Sequence, residues 1–375
     1  MDETTSGEQG MTSTAFSVAD CFSRTYAEAR GKFRSAAHLI GANVVADIHP
    51  ELRGIEGEEL AIDVVYIGPD NPSRLTIVTS GTHGAEGYCG SACQTALLRD
   101  RQLLDRFEQG SGGLLLVHAV NPYGFSWMHR TNEDNIDLNR NGVQFPLVDR
   151  DDADYQRLER LLVGESWPRT HDEANKLAAY CEKNGGLAML WKKLSGGQYS
   201  YPDGLFYGGT ASSWSINVVR EVLCRYAGGS MDVAWIDIHT GLGPYGHAEK
   251  IFPGRQEDVG FARMLWGSDV VDTSSGRSVS GGVSGSVIKL IYEVCPSARA
   301  AILGLEFGTV PYDQVIDSLV ADAWLRRQRA PTPSQSAGVA ALVRSAFYCE
   351  SDDWKGSVLG QARMVFLQCA VGMTT

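Results

Sequence analysis

The chain contains no apolar run approaching the roughly 20 residues that a bilayer-spanning helix requires, which argues against a membrane segment. It is also short of positive charge. Lys and Arg number 33 against 45 Asp and Glu, for a formal net charge of −12. No Lys/Arg cluster stands out, so the footprint needed to neutralise nucleic-acid phosphates is missing, as is a basic helix suited to a membrane surface. The opening stretch, MDETTSGEQGMTSTAF, is acidic and polar, without the charged-then-apolar order of a secretory leader. Eight cysteines lie mostly far apart in a chain too large to need a disulfide framework, and they read as reduced thiols of a cytoplasmic protein. Internal repeats and low-complexity tracts are absent. What is present is the composition of a globular protein, 43% apolar and 21% charged over 375 residues, enough to bury a large core.

Residues 1–15, rich in Thr, Ser, Gly and Glu, are expected to form a flexible tail. Apolar residues at helical spacing (Phe22, Tyr26, Ala29, Phe33, Ala37) predict one helix from Ser17 to about Ile40. Five apolar runs bounded by Gly, Pro, Asn or Asp then predict strands over Ala61–Ile67, Leu75–Ser80, Gly113–Val120, Val233–Thr240 and Ala300–Phe307. They alternate little and are separated by helical stretches, as in a sheet buried on both faces. The fold class is therefore α/β, a largely parallel mixed sheet between helices, with a helical and irregular insert over about 151–229. One catalytic domain is expected over 16–330. Helices from Tyr312 to Arg327 and from Ala337 onward flank a Pro-broken linker at Ala330–Ser334, and residues 331–375 are expected to pack as a helical segment on the same domain.

In an open α/β sheet, side chains just past the carboxyl ends of neighbouring strands converge on one crevice. The second run leads into His83-Gly84-Ala85-Glu86, and the third into Arg130 and Asp137-Leu138-Asn139-Arg140. The fourth ends Asp237-Ile238-His239, and the fifth ends Leu305-Glu306-Phe307. Two imidazoles and a carboxylate are a common ligand set for one catalytic zinc, which keeps a further position for water. His83, Glu86 and His239 fit that set, with one Zn²⁺ per chain. Glu306, at the end of an apolar strand, is the candidate general base that takes the water's proton and returns it to the leaving amine. Arg130 suits the developing oxyanion, and Arg140 beside the Asn139 amide suits a substrate carboxylate. His-x-x-Glu alone is a weak signal, since eight histidines among so many acids produce about one such match by chance. The stronger signal is that four strand ends deliver these residues together.

These pieces resemble the zinc carboxypeptidase family of the carboxypeptidase A type, including its succinylglutamate desuccinylase/aspartoacylase branch. HGAE at 83–86 is similar to that family's first zinc motif. Arg130 followed by Asp-Leu-Asn-Arg at 137–140 resembles its arginine and clamp segment, DIHTG at 237–241 its third-ligand segment, and LEFGT at 305–309 its catalytic Glu segment. SGTHGAEGYCGSACQ, LFYGGTASSW and DIHTGLGPYG resemble, more narrowly, a bacterial branch known only as a domain of unknown function. The resemblance covers the chain from about Phe16 through the Tyr312 helix. It implies zinc on His83, Glu86 and His239, Glu306 as base, Arg130 as oxyanion donor and Asn139 with Arg140 as carboxylate clamp. The family's digestive carboxypeptidases carry a tyrosine on a mobile loop before the catalytic Glu, and the corresponding stretch here, Ser278–Lys289, has none. Tyr292, Tyr245 and Tyr207 are the candidates to replace it, and Tyr207, with Phe206 and Trp214, is a candidate pocket wall.

The expected activity is hydrolysis of an amide in a small molecule or short peptide bearing a carboxylate, by a carboxypeptidase or an N-acyl amino acid deacylase. No nucleic-acid or membrane partner is expected, and a homo-oligomer is compatible with the sequence. Two other classes stay open at this point. One is a small-molecule binding module that keeps the fold without catalysis. The other is a cysteine hydrolase using Cys89 or Cys93 with His83, should a nearby helix start lower the thiol pKa. Of the remaining histidines, His129 and His247 are candidate pocket residues, while His38, His49, His118 and His171 read as packing or surface residues.

Overall fold

In the computed structural model, residues 17–146, 153–279 and 283–374 are described; the expected tail at 1–15 lies outside them. Eight strands form one sheet: β1 (Val44–Arg53), β2 (Glu59–Ile67), β3 (Arg74–Ser80), β4 (Gly113–His118), β5 (Asp232–Tyr245), β6 (Ala248–Phe252), β7 (Val271–Asp272) and β8 (Arg299–Gly308). Their order is β1-β2-β4-β3-β5-β8-β6-β7. The inner four, β4, β3, β5 and β8, are mutually parallel. β2 and β6 join them antiparallel from either flank. The five predicted strands are all present. β4 is buried throughout and β3 at all but its first residue, as strands covered by helices on both faces must be.

The remaining strands were not legible as apolar runs. β1 is an edge strand, its residues half-buried or exposed but for His49, and it carries Pro50, which an edge tolerates because that residue owes no ladder hydrogen bond. β6 and β7 are short. The helix predicted from Ser17 is two helices, Val18–Cys21 and Tyr26–Leu39. Thr25 accepts from the Glu28 N–H and starts the second afresh.

The apolar residues form two clusters. The larger surrounds the sheet and includes the helices Gly87–Arg99 and Trp214–Tyr226 and the C-terminal helix Asp352–Thr374. The smaller joins helices Ala153–Val163 and Leu187–Leu194 to helices Tyr312–Arg326 and Pro333–Phe347. The predicted insert therefore stops short of Gly229, because Trp214–Tyr226 is a core helix leading into β5. Among the described residues, no helix is long and apolar enough to cross a membrane.

Candidate metal centre

β3 ends at Ser80, and the chain turns through Gly81 and Thr82 to present His83, followed by a single turn of 3-10 helix over Gly84–Glu86. That turn lies flush against the neighbouring backbone: a Cβ on Gly84 would sit 2.0 Å from the carbonyl carbon of Gly124, so only glycine fits. Two hydrogen bonds, Gly84 N–H to the Arg130 carbonyl (3.1 Å) and Ala85 N–H to that of His129 (2.9 Å), tie the turn to the loop carrying Arg130. β5 delivers Asp237 and His239 from one face, two residues apart, and the neighbouring β8 places Glu306 in register with His239.

The three expected ligands meet. His83 Nδ1 lies 2.8 Å from one Glu86 oxygen, and His239 Nδ1 lies 2.9 Å from the other. One ligand atom from each of the three falls within 4.8 Å of the rest, and all three residues are buried. Each imidazole turns its outer nitrogen to another carboxylate: His83 Nε2 is 3.1 Å from Asp137 Oδ1, and His239 Nε2 is 2.7 Å from Asp237 Oδ2. That leaves both Nδ1 atoms to face inward, the arrangement in which a carboxylate orients a ligating histidine. Asp237 is itself held by the hydroxyls of Thr79 (2.6 Å) and Thr82 (2.8 Å).

The balance of charge points the same way. Among the described residues, the buried carboxylates Glu86, Asp137 and Asp237 are met by two guanidiniums, Arg130 on Glu86 and Asp137 and Arg140 on Asp137, so neutral imidazoles leave negative charge uncompensated even before Glu306 is counted. A divalent cation supplies what is missing. Without one, burial would push the His239 imidazole down, yet Asp237 and Glu86 hold it well above the ordinary histidine value. Burial would likewise raise Glu86, but His83 and His239 keep it well below the usual carboxylate range. Asp137 is held low by Arg140 and Arg130 against the same desolvation. The residues fit a metal ion.

Glu306 stands apart from the ligands and accepts from the Leu242 N–H at 2.9 Å. Burial and the charge of Glu86 push its carboxyl up to about 7, near the working range of a proton carrier. Arg130 is braced by Asp137 (3.2 Å) and Glu86 (3.3 Å), and its second terminal nitrogen makes no hydrogen bond with described residues. Arg140 is buried: its Nε (3.1 Å) and one terminal nitrogen (2.6 Å) donate to the Ser195 carbonyl, and the other donates to that of Asn139 (3.2 Å). Its role therefore includes anchoring the insert. Asn139 accepts from Ser286 (3.2 Å) and the Val287 N–H (3.0 Å), and its amide nitrogen approaches His239 at 3.4 Å. These residues line a cavity of about 430 Å³.

The aromatic expectations need correction. Tyr207 is buried in the main core and its carbonyl accepts from Asp137 N–H (2.8 Å), so it braces the site through its backbone. Tyr245 is exposed, with its hydroxyl 2.5 Å from that of Ser351. Tyr292 bonds Asp258 and lies under Arg255. Trp214 packs on His49. None of the four lines the cavity, nor do His129, paired with Asp322, or the exposed His247. Phe206 does line it, with a left-handed φ of 56° and its ring 5.7 and 5.3 Å from the Arg130 and Arg140 guanidinium carbons. Trp191, Tyr312 and Phe347 also line it and were not anticipated; they lie on helices whose apolar residues read simply as packing. Asp237 had a usable signal, being two residues before His239 on one strand. The cysteine reading loses its basis: the Cys89 thiol is pushed well above its ordinary value by burial, and both ring nitrogens of His83 are engaged by carboxylates.

No curated protein matches the sequence. Among solved structures, the chain is similar to carboxypeptidase A from Helicoverpa armigera, with 15% identity, a TM-score of 0.47, and coverage of 90% of this chain and 77% of that one. It is similar to a metallo-carboxypeptidase from Burkholderia cenocepacia, with 12% identity, a TM-score of 0.44, and coverage of 92% and 68%. A third likeness is to a protein from Shewanella amazonensis assigned to the succinylglutamate desuccinylase/aspartoacylase family, with 18% identity, a TM-score of 0.37, and coverage of 75% and 70%. One family model matches residues 22–361, most of the chain, and the protein belongs to that family, described as Protein of unknown function (DUF2817).

Proposed function

We propose that the protein is a zinc-dependent hydrolase that cleaves an amide bond in a small carboxylate-bearing substrate, as a carboxypeptidase or an N-acyl amino acid deacylase. The observation that carries this reading is the meeting of His83, Glu86 and His239 around one point, with Glu306 beside them and outside the ligand set. Two imidazoles and a carboxylate suit Zn²⁺. When bound, the ion would supply Lewis-acid polarisation of the scissile carbonyl and acidify a water for attack.

The chain's own residues do the rest. Glu306 takes the proton of the attacking water and hands it to the leaving nitrogen, a task matched to a carboxyl near 7. Arg130 lines the cavity, and its terminal nitrogen left unengaged by the described residues is the donor for the oxyanion in this reading. Asn139 and Arg140 orient the substrate carboxylate. Because Arg140 already serves the Ser195 carbonyl, the clamp is rigid and needs little reorganisation on binding. Helix Leu187–Leu194 closes one side of the cavity through Ala188, Trp191 and Lys192, which favours small substrates over open protein ends.

The experiment is a paired panel of C-terminal dipeptides and N-acyl amino acids offered to zinc-loaded protein. Cleavage of members of either set is expected. Inertness toward both sets, with zinc shown to be bound, rejects the hydrolase and leaves a binding module of the same fold.

A further inference from the structure

The cavity that Glu306 lines has polar and apolar stretches of wall. Gly304 and Glu306 face it from one side of β8, two residues apart. Ile251 lies by Gly304, its Cβ 3.8 Å from where a Gly304 Cβ would be, and the clamp residues Asn139 and Arg140 line the same cavity. One stretch of the wall is apolar. The Leu242 N–H bonds the Glu306 carboxylate, and Phe347 packs against Gly241, where a Cβ would lie 2.9 Å from its ring. The Phe347 ring, Leu242, Val315, Leu319 and Trp191 belong to one contiguous apolar cluster and all line the cavity.

The cavity is also short of acid. Among the described lining residues, Glu86 and Glu306 are the only carboxylates, and the hydrolase mechanism commits one to the metal and the other to the proton. The α-ammonium of a free dipeptide would find no partner on the apolar wall, and a second carboxylate would be desolvated against Leu242, Val315, Leu319 and Phe347; the one ammonium among the described lining residues, Lys192, is exposed beside Trp191. Resting on the hydrolase reading, we infer that the substrate is an N-acyl amino acid whose acyl group is uncharged and apolar. Its α-carboxylate sits on Asn139/Arg140 and its acyl chain lies along Leu242, Val315, Leu319 and Phe347.

The test uses the zinc-loaded protein on N-acetyl-, N-butyryl-, N-hexanoyl- and N-succinyl-leucine and on the free dipeptide Ala-Leu. From acetyl to hexanoyl, kcat/KM is expected to rise about fourfold per methylene, the equivalent of about 0.8 kcal/mol for each buried CH₂. N-succinyl-leucine and Ala-Leu are expected to fall roughly tenfold or more below N-butyryl-leucine. Calorimetric binding of the same compounds to Glu306→Gln should follow the same order, and Leu242→Asn, verified as folded by its melting temperature, should flatten the slope. A flat or falling series, or a best substrate that is the succinyl compound or the dipeptide, overturns the acyl assignment and leaves the hydrolase standing. Absence of turnover on every compound overturns the hydrolase instead, and the binding order then decides the acyl preference on its own.

Discussion

The Asp237 carboxylate lies 2.7 Å from the outer nitrogen of His239 and accepts two threonine hydroxyls on its other oxygen. Thr79 in turn accepts the Trp235 indole N–H at 3.0 Å, which aims the Thr79 hydroxyl proton at Asp237. Asparagine cannot satisfy both sides. If its oxygen serves the threonines, its amide N–H confronts the imidazole N–H. Asp237→Asn is expected to weaken zinc binding by about 10- to 100-fold, measured by competition with a chelator of known affinity.

The ligand set and the base should separate cleanly. The wild type is expected to carry stoichiometric zinc by elemental analysis, and His83→Ala and His239→Ala to lose it together with its thermal stabilisation. Glu306→Gln should retain zinc while kcat falls by roughly 10²- to 10⁴-fold. Loss of metal in that variant would make Glu306 a ligand and remove it as the base.

Arg140→Ala should show two effects with separate causes. KM for carboxylate substrates is expected to rise about tenfold or more relative to their neutral amide analogues, which reports the clamp. The melting temperature should also drop by several degrees, because the Ser195 carbonyl loses its guanidinium donor and Asp137 loses one of the two guanidiniums paired with it. Equal KM changes for both substrate types would leave Arg140 with only the anchoring role.

His118 sets a pH limit on stability. It is fully buried, stacks on Phe33 at 4.4 Å, lies 2.8 Å from the Ser91 hydroxyl, and has no partner for Nδ1 among the described residues. Burial pushes its pKa down to about 4 from an ordinary 6.5. The unfolded chain therefore takes up a proton that the folded chain refuses. Stability from this residue is full above about pH 6.5 and is lost as pH falls toward 4, up to about 3 kcal/mol. Denaturant midpoints between pH 7.5 and 5 check it: His118→Gln should lose the portion of the acid slope that this residue contributes.

The inner strands and the cluster of candidate ligands were legible because both are local statements. A Val/Ile/Leu run bounded by turn residues reads as a buried strand, and the polar residues just past its carboxyl end read as site. The edge strand β1 was not, since its half-buried residues show no clean period and Pro50 argues against a strand until the edge position is known. The aromatic wall was illegible for a different reason. Trp191, Tyr312 and Phe347 come from three different helices, the first more than a hundred residues before the other two, and nothing near any of them distinguishes a side chain facing a cavity from one facing a core. Tyr207 shows the converse, a plausible pocket aromatic that the fold assigns to the core.

Thr79 pairs with Asp237 across the parallel β3–β5 seam, and both His239 and its carboxylate ride on that one strand. Sliding β5 by a single position would turn the pair toward the opposite surface of the sheet. Damage to the seam, at side chains that never meet a substrate, should therefore silence the protein before it melts, and loss of bound metal would be the earliest sign that the strands have slipped.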